Sequence, residues 1–148
     1  MRDALKNLRV MLVDDHDMVR LGFRFLIEGA GGEVVAESSA ASGVVELYRQ
    51  QQPNLLITDV SMPGVDGLTL LERLLAAAPD AKVLVLSAHD DDIIPVRALR
   101  AGALGYLCKR ATPDEFIRAV AAVALAELGA GPHAFEFRIE DVVDHAGD

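Results

Sequence analysis

Residues 8–28 read LRVMLVDDHDMVRLGFRFLIE: an apolar, β-branched run that ends on two adjacent acids, Asp14 and Asp15, and passes straight into a stretch with helical periodicity. A strand that is apolar on both faces belongs inside a sheet covered by helices on each side. In the following stretch Val19, Phe23, Leu26 and Ile27 fall on one face of a helix opened by Asp15 or His16. This order of strand, acids and helix predicts an α/β protein with polar groups at the carboxyl end of its first strand.

Working outward, the pattern repeats. Strands are expected at Leu8–Val13, Glu33–Glu37, Leu55–Thr58, Lys82–Ser87 and Ala103–Leu107, alternating with helix-length amphipathic stretches, which gives five βα units around a parallel sheet. The last helix has a clear start: Thr112-Pro113-Asp114-Glu115 supplies an N-cap hydroxyl, a proline at the first helical position and a glutamate at the third. Behind it Phe116, Val120, Val123 and Leu125 form an apolar stripe, and the alanines permit close packing on the sheet. Asp66 is the expected cap of the third helix, with Leu68, Leu71, Leu74 and Leu75 facing inward. The fourth helix starts among Asp90, Asp91 and Asp92, and Pro95 confines its regular hydrogen bonding to the residues beyond the proline, so its first turn should be short or mobile.

After Leu128 the character changes. Gly129, Gly131 and Pro132 interrupt the helix, then Phe135, Phe137 and Ile139 alternate with charged residues ahead of an acidic end. We therefore divide the chain into a domain at 1–128 and a tail or linker remnant at 129–148.

The composition narrows the function. With 51% hydrophobic and 25% charged residues, the chain has enough apolar surface to fold. A net charge of −9 disfavours direct binding to DNA or to an anionic membrane, either of which needs a basic face. The single cysteine, Cys108, forms no internal disulfide and reads as a small buried hydrophobe; with no signal peptide or spanning segment, a cytoplasmic location is expected.

The strand ends carry the chemistry. Asp14 and Asp15 follow the first strand and Asp59 follows the third, so three carboxylates converge on the crevice where open α/β sheets bind ligands. Such a cluster calls for a cation, and an all-oxygen donor set suits Mg2+. Ser87 ends the fourth strand with a hydroxyl, and Lys109 follows the fifth with an ammonium. Cation, hydroxyl and lysine are the parts that stabilise a transferring phosphoryl group, with Asp59 as the nucleophile.

Four segments together, VMLVDDHDMVRLGFRFLIE, LLITDVSMPGVDGLTLLERL, VLVLSAHDD and AGALGYLCKRATPDEFIRAV, resemble the receiver domain of two-component response regulators. The DDH-x-x-V-R-x-G run and the ALGYL-x-K ending are most similar to receivers of the LuxR/NarL type, whose members carry a helix-turn-helix output. The resemblance implies a flavodoxin-like (βα)5 fold with a five-stranded parallel sheet in the order 2-1-3-4-5. It implies that Asp59 is the phosphorylated aspartate and that Mg2+ is held by Asp15, Asp59 and the backbone carbonyl of Ser61, with Asp14 acting through water. Lys109 would pair with the phosphoryl oxygens, Ser87 would move to donate its hydroxyl, and Tyr106 would turn inward as the aromatic switch. Ser61 and His89 occupy the two positions that tune hydrolysis, and neither is an acid or amide that would orient water, so slow loss of phosphate is expected. The implied partners are a histidine kinase or small phosphodonor, and a second copy bound through the face of helix 4, strand 5 and helix 5 or through the tail.

Each feature also has a plainer reading. Asp14 and Asp15 could be helix N-caps, Lys109 a solvated lysine, Ser87 a cap of the fourth helix, and Tyr106 a core aromatic whose hydroxyl reaches solvent. His16, His89, His133 and His145 lack metal-ligand spacing. Two other functions stand beside a phosphorylation switch that does not turn over substrate. One is an aspartate-nucleophile phosphohydrolase, for which the second acid of a D-x-D motif is missing at Ser61; the other is an interaction module independent of phosphorylation. A DNA-binding output would need a basic recognition helix, and the residues after Leu128 are too few and too acidic for one.

Overall fold

Alternate side chains of a strand point to opposite faces, and the apolar runs exploit both. The computed structural model of the chain describes residues 3–60, 67–87 and 93–126, with 93–96 as backbone. Five parallel strands, β1 (Arg9–Val13), β2 (Glu33–Ser38), β3 (Leu55–Asp59), β4 (Val83–Ser87) and β5 (Gly105–Cys108), form one sheet in the order β2-β1-β3-β4-β5. This is the expected order.

One face, built from Val10, Leu12, Leu55, Ile57, Leu84, Leu86 and Leu107, packs against α1 (Asp17–Gly29) and α5 (Pro113–Ala124). The other, built from Met11, Val13, Leu56, Val83, Val85 and Tyr106, packs against α2 (Val44–Gln51), α3 (Gly67–Ala77) and α4 (Ile93–Arg100). The two cores are thus drawn from the same strands in alternate register.

Helix starts obey local chemistry. Thr112 Oγ1 accepts from the Glu115 N–H at 3.2 Å and the Glu115 carboxylate accepts from the Thr112 N–H at 3.1 Å, so the capping box forms at α5. His16 is the N-cap of α1, but its side chain makes no capping hydrogen bond. Helix α4 is described as Ile93–Arg100, so Pro95 lies within it. Asp66 and Asp90–Asp92 lie outside the described residues, as does everything after Ala126.

One inward assignment needs correction. Leu125 is 83% exposed, because at 3.6 residues per turn it falls roughly opposite the face that Phe116, Ile117, Val120 and Val123 bury. Leu70, outside the expected stripe, is buried with Leu68, Leu71 and Leu74, while Leu75 is only partly covered. In α1 only Ile27 is fully buried; Phe23 reaches the core by stacking on Phe116 with ring centroids 4.7 Å apart.

Candidate functional site

Backbone pairing carries past the strand ends and fixes the rim. The Asp14 N–H donates to Ser38 O at 3.0 Å, Val60 N–H to Leu86 O at 3.1 Å, and Lys109 N–H to Ser87 O at 2.8 Å. Asp14, Asp59, Ser87 and Lys109 are therefore placed by the sheet itself rather than by free loops.

Asp14, Asp15, Asp59 and Lys109 converge at the strand ends, and Ser87 ends the strand that pairs with β3. Asp59 is fully buried, and Asp14 and Ser87 nearly or wholly so. Lys109 Nζ donates to Asp59 Oδ2 at 2.9 Å and stands 2.8 Å from Asp14 Oδ2, an ion pair in distance but without the direction of a hydrogen bond. Burial alone would lower the Lys109 pKa, but Asp14 and Asp59 outweigh it and hold the ammonium above its ordinary range. Asp15 lies at the mouth of the crevice, partly exposed.

Asp14 also holds the chain entering α1, since its Oδ1 accepts the His16 N–H at 2.8 Å. Neither acid is the N-cap of α1; that position is His16. Residues 88–92, between Ser87 and α4, lie outside the described residues. Beneath the rim, Arg20 donates from Nη1 to the Asp14 carbonyl at 2.6 Å, from Nε to Glu37 at 3.0 Å and from Nη2 to Asp17 at 2.9 Å. Sequence pattern does not reveal that Arg20 braces Asp14, although an arginine one turn into the helix is the available signal.

His16 is a second residue that sequence pattern passes over. Its Nδ1 lies 3.2 Å from Asp14 Oδ1 and 3.0 Å from Asp15 Oδ1, and one atom from each of Asp14, Asp15, His16 and Asp59 lies within 4.8 Å of all the others. Asp14 Oδ2 and Asp15 Oδ1 are buried without accepting a hydrogen bond, and of the two Asp14 Oδ2 is faced by the Lys109 ammonium. Buried carboxylate oxygens in excess of their donors are the atoms a hard divalent cation satisfies, so the residues present fit a Mg2+ ion.

Tyr106 pairs in register with Val85, two residues before Ser87, so Tyr106 and Ser87 project from the same face of the sheet, the one that α4 covers. Tyr106 is completely buried, hydroxyl included, and does not reach solvent. Ser61 and His89 lie outside the described residues. No described helix is long and apolar enough to cross a membrane.

Comparison with known proteins places this geometry. The pattern of the response regulator receiver domain matches residues 10–121. Response regulator GacA of Pseudomonas aeruginosa is 38% identical over 114 residues, covering 76% of this chain and 53% of GacA. Response regulator UvrY of Escherichia coli K12 is 36% identical over 117 residues, covering 78% of this chain and 54% of UvrY. The chain thus spans about half the length of these relatives. Among solved structures, the signal receiver domain of NarL from Mycobacterium tuberculosis superposes with a TM-score of 0.76 at 31% identity, covering 82% of this chain and 99% of that one.

Proposed function

This chain belongs to the response regulator receiver domain family, of the LuxR/NarL type, and from that membership we propose that it is a switch written on at Asp59 by a histidine kinase or a small phosphodonor. The observation that carries the reading is the buried Asp59 carboxylate held by Lys109 in a crevice shared with Asp14 and Asp15.

In this reading an Asp59 carboxylate oxygen attacks the donor's phosphorus. A new O–P bond forms, the bond from phosphorus to the donor breaks, and its electron pair leaves with the donor, giving an acyl phosphate on Asp59. Mg2+, bound by Asp15, Asp59 and the Ser61 carbonyl with Asp14 acting through water, would neutralise charge on the phosphoryl oxygens. Lys109 exchanges its Asp59 contact for a phosphoryl oxygen, which keeps the ammonium paired throughout. Ser87 swings to donate its hydroxyl to a second oxygen. Tyr106, on the same sheet face, then packs into the space that Ser87 leaves and alters the surface of α4, β5 and α5.

That surface, or residues 129–148, would bind a second copy or an output module, and transcription would be the regulated process in the full protein. Residues 1–128 form the receiver in this assignment, acting in the cytoplasm and not itself binding DNA. With Ser61 and His89 at the tuning positions, the acyl phosphate should be lost slowly.

Incubation with a small phosphodonor and Mg2+, followed by intact-mass analysis, tests the site. Wild type should gain one phosphoryl group and Asp59→Asn none; labelling retained in Asp59→Asn would refute the assignment. Sustained turnover of a phosphomonoester would instead favour a phosphohydrolase.

A further inference from the structure

The crevice holds one donor that a Mg2+ site does not call for. His16 stands at the N-cap of α1 but spends no side-chain hydrogen bond on capping. Its backbone is fixed on both sides, by the N–H to Asp14 Oδ1 at 2.8 Å and by the carbonyl that accepts from Arg20 N–H at 2.9 Å. The ring, 58% exposed, is turned toward the acids rather than away, with Nδ1 within 3.2 Å of both Asp14 and Asp15.

Two features make this more than an acidic cluster with a neighbour. The buried Asp14 Oδ2 and Asp15 Oδ1 accept no hydrogen bond; the Lys109 ammonium stands 2.8 Å from the first, and the described group facing the second is the His16 ring itself. The spacing is also right: donor atoms of Asp14, Asp15, His16 and Asp59 all lie within 4.8 Å of one another, while opposite ligands of one ion at about 2.0–2.2 Å stand roughly 4.0–4.4 Å apart. Small rotations of side chains would close four donors on a single ion.

Donor type then decides which ion. Carboxylates alone suit Mg2+, which gains little from imidazole, whereas a neutral imidazole beside carboxylates suits zinc and cobalt. We propose that the crevice is a mixed nitrogen–oxygen site in which His16 Nδ1 joins Asp14, Asp15 and Asp59 to hold a transition-series divalent cation, with Zn2+ the representative, in competition with Mg2+. The inference rests on the reading of this crevice as a cation site.

The test is a direct binding measurement on the full chain. Zn2+ is titrated against a chromophoric chelator, Co2+ is followed by its visible absorption, and Mg2+ is measured by its displacement of either, in wild type, His16→Gln and Asp15→Asn. His16→Gln should lose at least about tenfold in Zn2+ affinity, lose the Co2+ band of a nitrogen-ligated ion, and change in Mg2+ affinity by less than about threefold. Equal Zn2+ affinity in wild type and His16→Gln would overturn the proposal. A parallel loss of Mg2+ and Zn2+ would also overturn it, by showing that His16 only shapes the turn. Failure of the cation-site reading looks different: neither ion would then depend on Asp15.

Discussion

Lys109 meets two buried carboxylates with one charge, and that imbalance has measurable consequences at the level of the single residue. Replacing it by methionine keeps the apolar stem but leaves Asp14 and Asp59 buried without their ammonium. In the presence of a chelator, Lys109→Met should lose roughly 3–5 kcal/mol of stability to urea, the cost of breaking a buried pair from one side. The pH dependence has a definite sign. A proton held more tightly in the folded chain contributes stability that is complete below the unfolded pKa and lost as pH rises through the folded one. Because the Lys109 pKa is raised, the gap between wild type and Lys109→Met should, on the alkaline side, persist past neutrality and narrow above the ordinary ammonium value of 10.5. A gap that closed on the alkaline side before 10.5 was reached would mean that the ammonium is not held by these acids. Asp14, Asp59 and Lys109 are legible as rim residues because each directly follows an apolar run, and the end of a parallel strand is a definite place. His16 is not, because its approach to the acids is made by a turn across Asp14, and no spacing rule for metal ligands describes that geometry.

Elements are legible in kind and order, and their limits less so. Strand β5 is expected at Ala103–Leu107 but runs Gly105–Cys108, because pairing of Leu84 with Gly105 and Ser87 with Cys108 sets the register and Ala103 instead donates its N–H to Ala98 at the end of α4. Such pairing is a tertiary fact that local pattern does not carry. Where a start is written in local chemistry the expectation holds, and Thr112→Ala should cost about 1 kcal/mol in denaturant titration by removing the cap of α5. Gly67 is a harder constraint. A Cβ there would collide with the Val60 Cα and lie 3.0 Å from the Asp59 carbonyl oxygen, both backbone atoms with no rotamer to yield. Gly67→Ala should therefore destabilise by roughly 1–3 kcal/mol, the cost of overpacking. It should also slow labelling of Asp59, since the relief must come from the segment that carries it. A variant as stable and as readily labelled as wild type would show that α3 can withdraw without disturbing the site.

At the scale of the whole molecule, the sheet brings three acids to one edge and sends Lys109 alone among the described rim residues to offset them. The two cores secure this arrangement from both faces, so the repulsion is not relieved by local movement but stored in the folded state. A bound cation should then appear as folding stability. Free energy gained from a ligand that binds only the native chain grows as RT ln(1 + [L]/Kd), about 2.7 kcal/mol at a hundred times Kd. Wild-type stability to urea should thus rise with the logarithm of Mg2+ concentration once Kd is passed. Asp15→Asn separates this effect from general salt screening, because it removes one charge at the mouth of the crevice while leaving the buried Asp14–Lys109–Asp59 group intact. Without divalent ions the variant should be the more stable protein, having lost part of the repulsion; at high Mg2+ the order should reverse, since the variant has also lost a ligand. The crossing of the two stability curves is the decisive observation. Parallel curves at matched ionic strength would mean that Asp15 contributes charge to the rim but does not hold the ion.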